Sequence, residues 1–424
     1  MTYNSGDNAS MMSRARQVRA ARRVVGVPAA AAAMVLAHGT VQLAAERQNR
    51  PAPAQYELVE ELAIRSSDAV GGIQLTRISD LAVLSDGFIA AAHPTERLIR
   101  LFDQNGRFLR TLGGAGSGPG EFSALSAIGT IGDTIWVQDL ARSSVSFFLA
   151  DGRLTSSIRY SRQNLPPSTT LVAALPGGRF LFSTNHIPAP PAGQRPSSGA
   201  ARDSVVYRVA DSSGAQAVTV FRQPADPAGR IPFTTNGLRA WFDQPLAPRA
   251  LFDIEPGSQR VVFSCDGSLC GGAGPELRLV HVDPAGRVVA ANVAVDIRPL
   301  TPADVDSVRN MFGPTTPPPN ANISQASRAA IAAAVREHLY VPRYPPIAAH
   351  LIAGRDGSIW IREGRNYLSW LVLERGRVTK RVVMPRTDSY PPEPYQVTAD
   401  KVWAVLMDAD GVPSIRRYGL RQVR

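Results

Sequence analysis

The residues with the chemistry to act are few and scattered. Six histidines, His38, His93, His186, His281, His338 and His350, stand apart, and none forms the close pair that metal sites favour. No Gly-x-Ser-x-Gly elbow presents a nucleophilic serine. Carboxylates fall at expected strand ends as Asp80, Glu121, Asp139 and Glu363, all facing one side. Oxygens of this kind suit calcium and serve equally well as acceptors for exposed backbone N–H groups. Arg97, Arg142 and Arg365 belong to the same side. The candidate ligand-facing set is therefore His93, Arg97, Glu121, Asp139, Arg142, His186, Glu363 and Arg365. No catalytic residue or metal ligand is assigned, and calcium is the one cofactor considered. The arginines favour an anionic or carbohydrate-like ligand, whether a small molecule, a carbohydrate or a protein.

Two further motifs carry less chemistry than their composition suggests. Cys265 and Cys270 are the only cysteines and bracket Asp266-Gly267. In an exported protein this spacing reads as a small loop-closing disulfide, with free thiols the alternative; as metal ligands they lack two partners. The run Gly113-Gly114-Ala115-Gly116-Ser117-Gly118-Pro119-Gly120 lacks the Gly-Lys-Ser/Thr ending of a phosphate cradle. Glu121-Phe122 then leads into a strand where a helix N-terminus is needed, so the run reads as a crossing between sheets.

The elements that must hold these residues announce themselves by repetition. Phe102-Asp103-Gln104-Asn105-Gly106-Arg107-Phe108 returns as Phe148-Leu149-Ala150-Asp151-Gly152-Arg153-Leu154. Val282-Asp283-Pro284-Ala285-Gly286-Arg287-Val288 and Glu374-Arg375-Gly376-Arg377-Val378 carry the phrase on. Short alternating strands in units of about 40–50 residues are the mark of propeller blades. Blades are predicted to start near Leu75, Ala124, Thr170, Ala250 and Ile347, and the last holds Tyr395–Thr398, Lys401–Met407 and Ser414–Leu420. That blade is one strand short. Tyr56–Arg65 alternates in part, has no partner of its own and supplies the missing outer strand. The expected fold is all-β, a six-bladed propeller over residues 55–424 closed by its two termini.

Tight Asp-Gly, Asn-Gly, Pro-Gly and Arg-Gly turns fall on one face of such a disc, and every long segment falls on the other. The long segments are Gly113–Phe122, Thr184–Arg202, Gln223–Pro248 and Arg298–Pro346. Function is expected on this loop-rich face. Within residues 298–346, Thr301, Pro302 and Asp304 spell a capping box ahead of Val305, Val308 and Phe312. Ser324 is read as the cap of a second helix carrying Ile331, Val335 and Leu339. A helical pair here is either a lid on the channel mouth or a plug over its apolar rim.

Composition narrows the class. With 44% hydrophobic residues among 424, a large core is available. The formal charge of +11 is almost entirely arginine, with Lys380 and Lys401 the only lysines. The arginines are spread one per strand or turn, without the aromatic interleaving of single-strand binders, so nucleic acid is not expected as a partner. Residues 1–50 read as a targeting segment: Arg14, Arg16, Arg19, Arg22 and Arg23 precede the apolar run Val24–Ala37. Export to the periplasm or beyond is the expectation, and an uncleaved membrane anchor is the alternative.

Phe-Asp-x-x-Gly-Arg-Phe, Gly116–Phe122, Ile135-Trp136-Val137-x-Asp139 and Gly357-Ser358-Ile359-Trp360-Ile361 resemble exported six-bladed propellers of the NHL-repeat and TolB-like type. The resemblance spans Tyr56 to Arg424 and is weakest in the third and fourth blades. It implies fold and export. Members of such families range from binding or sensor modules to lyases and lactonases. A binding or interaction module is therefore the first expectation, and a metal-dependent lyase or hydrolase at the channel mouth the alternative.

Overall fold

Each Gly-containing turn reverses an alternating strand onto its predecessor, so strands next to each other in the chain pair antiparallel. The structure, a computed structural model, describes residues 52–66, 74–186, 204–224, 230–235, 238–247, 251–256, 259–266, 276–283, 285–295, 297–313, 325–364, 368–385 and 391–423. All belong to the unit Pro53–Arg424 apart from Ala52. The targeting segment, Cys270 and Arg365 lie outside the described residues, as do the side chains of Cys265 and His186. Among the described residues no helix is long and apolar enough to cross a membrane.

Strand β1 (Ala54–Ile64) precedes a four-stranded sheet of β2 (Asp80–Val83), β3 (Ile89–His93), β4 (Leu98–Phe102) and β5 (Phe108–Gly113). The second sheet is β6 (Leu125–Ile131), β7 (Thr134–Asp139), β8 (Ser144–Leu149) and β9 (Leu154–Arg159). The third is β10 (Thr169–Leu175), β11 (Arg179–His186), β12 (Ser204–Ala210) and β13 (Val218–Pro224). A hairpin, β14 (Arg230–Thr235) and β15 (Leu238–Asp243), separates it from the fourth. That sheet is β16 (Leu251–Ile254), β17 (Val261–Asp266), β18 (Glu276–Val282) and β19 (Val288–Ala294). Helices α1 (Pro302–Met311) and α2 (Gln325–His338) follow.

The remaining strands are β20 (Ala348–Ala353), β21 (Ile359–Glu363), β22 (Ser369–Glu374), β23 (Arg377–Val383), β24 (Glu393–Val397), β25 (Lys401–Met407) and β26 (Pro413–Gln422). They form one eight-stranded sheet with β1, in the order β20-β21-β22-β23-β1-β26-β25-β24. The fold is all-β and propeller-like, with two helices among the described residues.

Apolar residues on both faces of each sheet bury against the sheets before and after it in the chain. Leu112 and Phe122 join the first sheet to Leu125, Ile135 and Val137 of the second. Trp136 then packs with Leu171, Phe180 and Phe182 of the third. Leu181 and Tyr207 meet Val261 and Phe263 of the fourth, whose Leu277 and Leu279 meet Leu351 and Ile361. Trp360 packs with Val397 and Val402, and Trp403 with Leu81 and Ile89 of the first sheet. Trp136 and Trp403 thus serve packing between sheets, Trp360 joins the two halves of the eight-stranded sheet, and the last apolar cluster returns to the first sheet.

Strand β1 ties the chain ends together. It pairs antiparallel with β26 from Tyr56↔Gln422 to Ile64↔Ile415, with one irregularity between Glu60 and Leu62. Glu60, Glu61 and Glu57 pair with Arg416, Arg417 and Arg421 at 2.8, 3.1 and 2.7 Å. At its start β1 also runs parallel to β23, from Ala54↔Lys380 to Glu57↔Val383.

Two boundaries differ from the sequence reading. Strand β2 covers only Asp80–Val83, because Leu75 N–H donates to the Ser66 hydroxyl at 2.9 Å and Thr76 is held by side chains described below. Gln223–Pro248, read as a plain loop, contains the β14–β15 hairpin. Ile231 is buried there against Ala334 and Val335 of α2. The Gln244 amide clamps the helix end, donating to His338 O at 2.8 Å and accepting from Tyr340 N–H at 2.9 Å. Thr301, Pro302 and Asp304 form the capping box of α1, and Arg298 pairs with Asp304 at 2.8 Å. Ser324 lies outside the described residues.

Candidate functional site

His93, Asp139, His186 and Glu363 are each the last residue of the second strand of their sheet, so the repeat delivers all four to the same end. Asp266 ends β17 in the same way, and the equivalence of Asp-ended β7 and β17 could have revealed it in the sequence. Each described member is engaged within its own neighbourhood. Asp139 accepts from Ser123, Ala124 and Arg142 N–H at 2.7, 3.1 and 3.2 Å, fixing the entry to β6. Glu121 accepts from Gly118 N–H at 2.7 Å, and the Arg142 guanidinium donates to Gly118 O and Glu121 O at 3.3 Å each. Glu363 accepts from the Ser369 hydroxyl and pairs with Arg381 at 3.1 Å.

This explains the glycine run without a phosphate. A Cβ on Gly113, whose φ is 74°, would stand 2.1 Å from the Phe122 ring. One on Gly116 would stand 2.0 Å from the Glu121 carboxylate. The glycines make room for an anchoring ring and a loop-closing acid.

His93 behaves differently from the sequence expectation. It ends β3 and is fully enclosed at 0% exposure, where a ligand-facing residue is expected. The Thr76 hydroxyl donates to Glu96 Oε1 at 2.6 Å and lies 3.0 Å from His93 Nδ1. Burial pushes the Glu96 carboxyl up, but hydrogen bonds from Thr76 and Arg100 outweigh it and hold the pKa below the ordinary value. An ionised Glu96 can only accept, so the single Thr76 proton goes to it. Thr76 must then accept from His93, which places the imidazole proton on Nδ1. The Nε2 lone pair has no partner among the described residues. Burial, with the Arg100 charge second, lowers the His93 pKa to about 4.

Arg97, like Glu121, is exposed. It sits in the β3–β4 turn with φ 59°.

The inner strands carry a second polar set that the sequence reading left out of the site. β2 lies against β6 and β24, and β20 lies against β16 and β24. The innermost strand of a blade has one unpaired edge, and its N–H groups need acceptors. Asp80 on β2 accepts from Ile128 N–H of β6 at 3.3 Å and from Leu81 N–H at 2.9 Å. Asp253 on β16 accepts from Ala353 N–H of β20 at 2.8 Å. Burial drives both carboxyls up, Asp80 to about 7 with the Asp253 charge adding to it, and Asp253 to about 6. Tyr395 on β24 is raised to about 12, by burial and then by Glu393 and Asp80.

At the end bearing the tight turns, side chains cross between non-adjacent sheets. Arg355, in the β20–β21 turn, donates to Val83 O of β2 at 2.6 Å and to the Thr130 hydroxyl of β6 at 3.3 Å. Gln259, in the β16–β17 turn with φ 56°, donates to Thr130 O at 2.7 Å. Nearby Glu255 is buried, pairs with Arg260 at 2.9 Å, and stands 3.8 Å from His281. One signal in the sequence pointed here: Arg355-Asp356-Gly357 places an arginine where the first sheet has Ser85-Asp86-Gly87. Among the described residues, no three His, Cys, Asp or Glu side chains stand together as a metal-ion cluster.

No protein-family profile matches the sequence, and no curated protein matches it. Solved structures similar to the chain include a member of the DUF4221 family from Bacteroides vulgatus, at 10% identity and a TM-score of 0.45, covering 88% of this chain and 100% of that one. A virginiamycin B lyase from Staphylococcus aureus is similar at 11% identity and a TM-score of 0.38, covering 87% and 100%. A gluconolactonase from Xanthomonas campestris is similar at 12% identity and a TM-score of 0.38, covering 88% and 99%.

Proposed function

We propose that the chain is an exported binding module, a six-bladed propeller that takes its ligand at the loop-bearing mouth of the axial channel. The six-blade count reads the eight-stranded sheet as two blades, β20–β23 and β24–β26 with β1, touching edge to edge through the short β1–β23 pairing. The apolar clusters that link each set of strands to the next, and the last set to the first, support it. Export rests on the arginine-rich start and apolar run of the N-terminal segment.

One observation carries the choice of mouth. Arg355 and Gln259 tie opposite sides of the ring together at the tight-turn end. An axial ligand then has one way in, past Arg97 and the loops fixed by Asp139, Glu121 and Arg142. These acids are engaged in holding backbone, which suits a rigid binding rim better than acid–base chemistry. Arg97, together with Arg365, which follows β21 in the sequence, favours an anionic or carbohydrate-like ligand. In isothermal titration with uronic-acid oligosaccharides, Arg97→Glu is expected to weaken binding about tenfold or more, the scale of a charge-assisted hydrogen bond. Unchanged affinity in Arg97→Glu removes the assignment of this mouth.

The enzymatic alternative has one observation in its favour. Asp80 and Asp253 are carboxyls held near neutral pKa inside the channel, the range in which a general acid or base works. Calcium fits them poorly, since both Asp80 oxygens already accept backbone N–H bonds. Stoichiometric metal in purified protein favours the lyase or hydrolase reading.

A further inference from the structure

Arg100 on β4 and Arg381 on β23 are each matched by a glutamate, Glu96 at 2.5 Å and Glu363 at 3.1 Å. The arginines of the third sheet are matched differently. Val206 on β12 stands opposite Thr184 of β11 and opposite Arg222 of β13. Opposite residues share a face of a sheet, and Arg208, two positions on from Val206, shares it too. Phe182, opposite Arg208, packs with Trp136 and Tyr160, so this face is turned toward the second sheet. Arg208 donates to the Thr184 hydroxyl at 3.1 Å, and Arg222 to the Ser204 hydroxyl at 2.8 Å. Among the described residues neither has a carboxylate partner. Burial, and after it the Arg222 charge, lowers the Arg208 pKa below its ordinary value.

The hydroxyls that hold these guanidiniums are themselves fixed. Thr169, Thr184 and Ser204 are all buried. The Thr169 hydroxyl donates to Pro166 O at 2.6 Å, so across the 2.7 Å to Thr184 it accepts. Thr184 therefore donates to Thr169 and accepts from Arg208, and the chain of protons runs one way, inward from the guanidinium. Arg162 adds a third charge to the same row by donating to Thr169 O at 3.2 Å. Ser204 pairs with His186, which puts the row at the loop-bearing end, and Arg222 is exposed there.

We propose that this face of the third sheet is a phosphate-monoester site, with Arg208 and Arg222 taking the dianion and Arg162 beside them. Charge selects the ligand class. A group with one negative charge answers only one of two neighbouring guanidiniums, whereas a phosphate monoester above its second pKa, about 6, answers both. Each guanidinium has five N–H donors in a planar fork that matches phosphate oxygens, so one bond to a hydroxyl leaves others for the ester. The site lies on the third and fourth strands of its sheet and stands apart from the channel mouth.

Isothermal titration of the full chain with methyl phosphate, at fixed ionic strength, tests this. At pH 8 a dissociation constant of about 1 mM or tighter is expected. Arg222→Gln and Arg208→Gln should each weaken binding about tenfold or more, the scale of a lost charge-assisted hydrogen bond. Arg222 is exposed, so its replacement leaves the core untouched if the Arg208 variant fails to fold. At pH 5 about a tenth of the ester remains dianionic, and binding should weaken about tenfold. Methyl sulfate, a monoanion throughout, should bind about tenfold more weakly than methyl phosphate at pH 8. Arg107→Gln removes the same charge from an exposed tight turn and should change nothing. No saturable binding up to about 20 mM overturns the proposal, given the affinity expected of such a site. So does an affinity that Arg222→Gln leaves unchanged, or one that Arg107→Gln lowers as much, which is general attraction to a +11 surface. Equal affinity for methyl sulfate overturns the dianion assignment.

Discussion

Removing Tyr56–Arg65 is expected to lower the melting temperature by about 10 °C or more, while trimming Thr2–Pro51 shifts it by no more than about 2 °C. The asymmetry follows from what β1 touches. Ile64 is buried beside Leu81 and Ile89, a burial of about 1.5–3 kcal/mol for one such side chain. Arg416 is also buried and would lose the Glu60 carboxylate, leaving a charge without its partner. The whole edge of β26 would be bared, and with it the seam between the last strands and the first sheet. Differential scanning calorimetry of the two truncations decides it. Equal melting temperatures would mean that β1 is an ornament and the ring is closed by other contacts.

The stability of Asp80→Asn relative to wild type should rise by about 2 kcal/mol between pH 4 and pH 8. This rise comes on top of a pH-independent cost, because asparagine keeps only one of the two oxygens that accept backbone N–H. Folding raises the Asp80 pKa from 3.8 to about 7, so the folded state holds a proton that the unfolded state has released between those values. The stabilisation linked to that proton is complete below the unfolded pKa and is lost as pH rises through about 7. A shift of this size corresponds to about 4 kcal/mol, and solvent screening of the partly buried carboxyl reduces it to about 2. Asparagine never ionises, so it escapes the loss. His93 and His350, both lowered to about 4, push the total the other way below their ordinary 6.5. For that reason the measured quantity is the difference between variant and wild type, taken by urea unfolding at each pH. A difference that stays flat from pH 4 to pH 8 contradicts the raised Asp80 pKa.

The parts of the fold visible in the sequence are those governed by local rules. Asp103, Asp151 and Asp283 hold their Gly-Arg turns by accepting from Arg107, Arg153 and Arg287 N–H, all within four residues. The Thr301 box is likewise complete within four positions. The closing strand was legible because its alternation lacked a neighbour. What stayed hidden depends on partners far apart in the chain. Arg355 reaches Val83, and Asp253 reaches Ala353, across separations that no spacing rule encodes. His93 looked like a ligand-facing residue, but it is buried and held by Thr76, which is itself bonded to Glu96. The β14–β15 hairpin makes sense only with α2 on it, because neither buries its apolar face alone.

Hydrogen–deuterium exchange with and without uronic-acid oligosaccharides tests the central claim, a binding mouth at the loop-bearing end of a channel closed at the other. Protection is expected in residues 94–97, 113–122 and 140–143, with none in the tight turns at 84–88, 254–260 and 354–358. Protection of those turns, or no protection at either end, would contradict it.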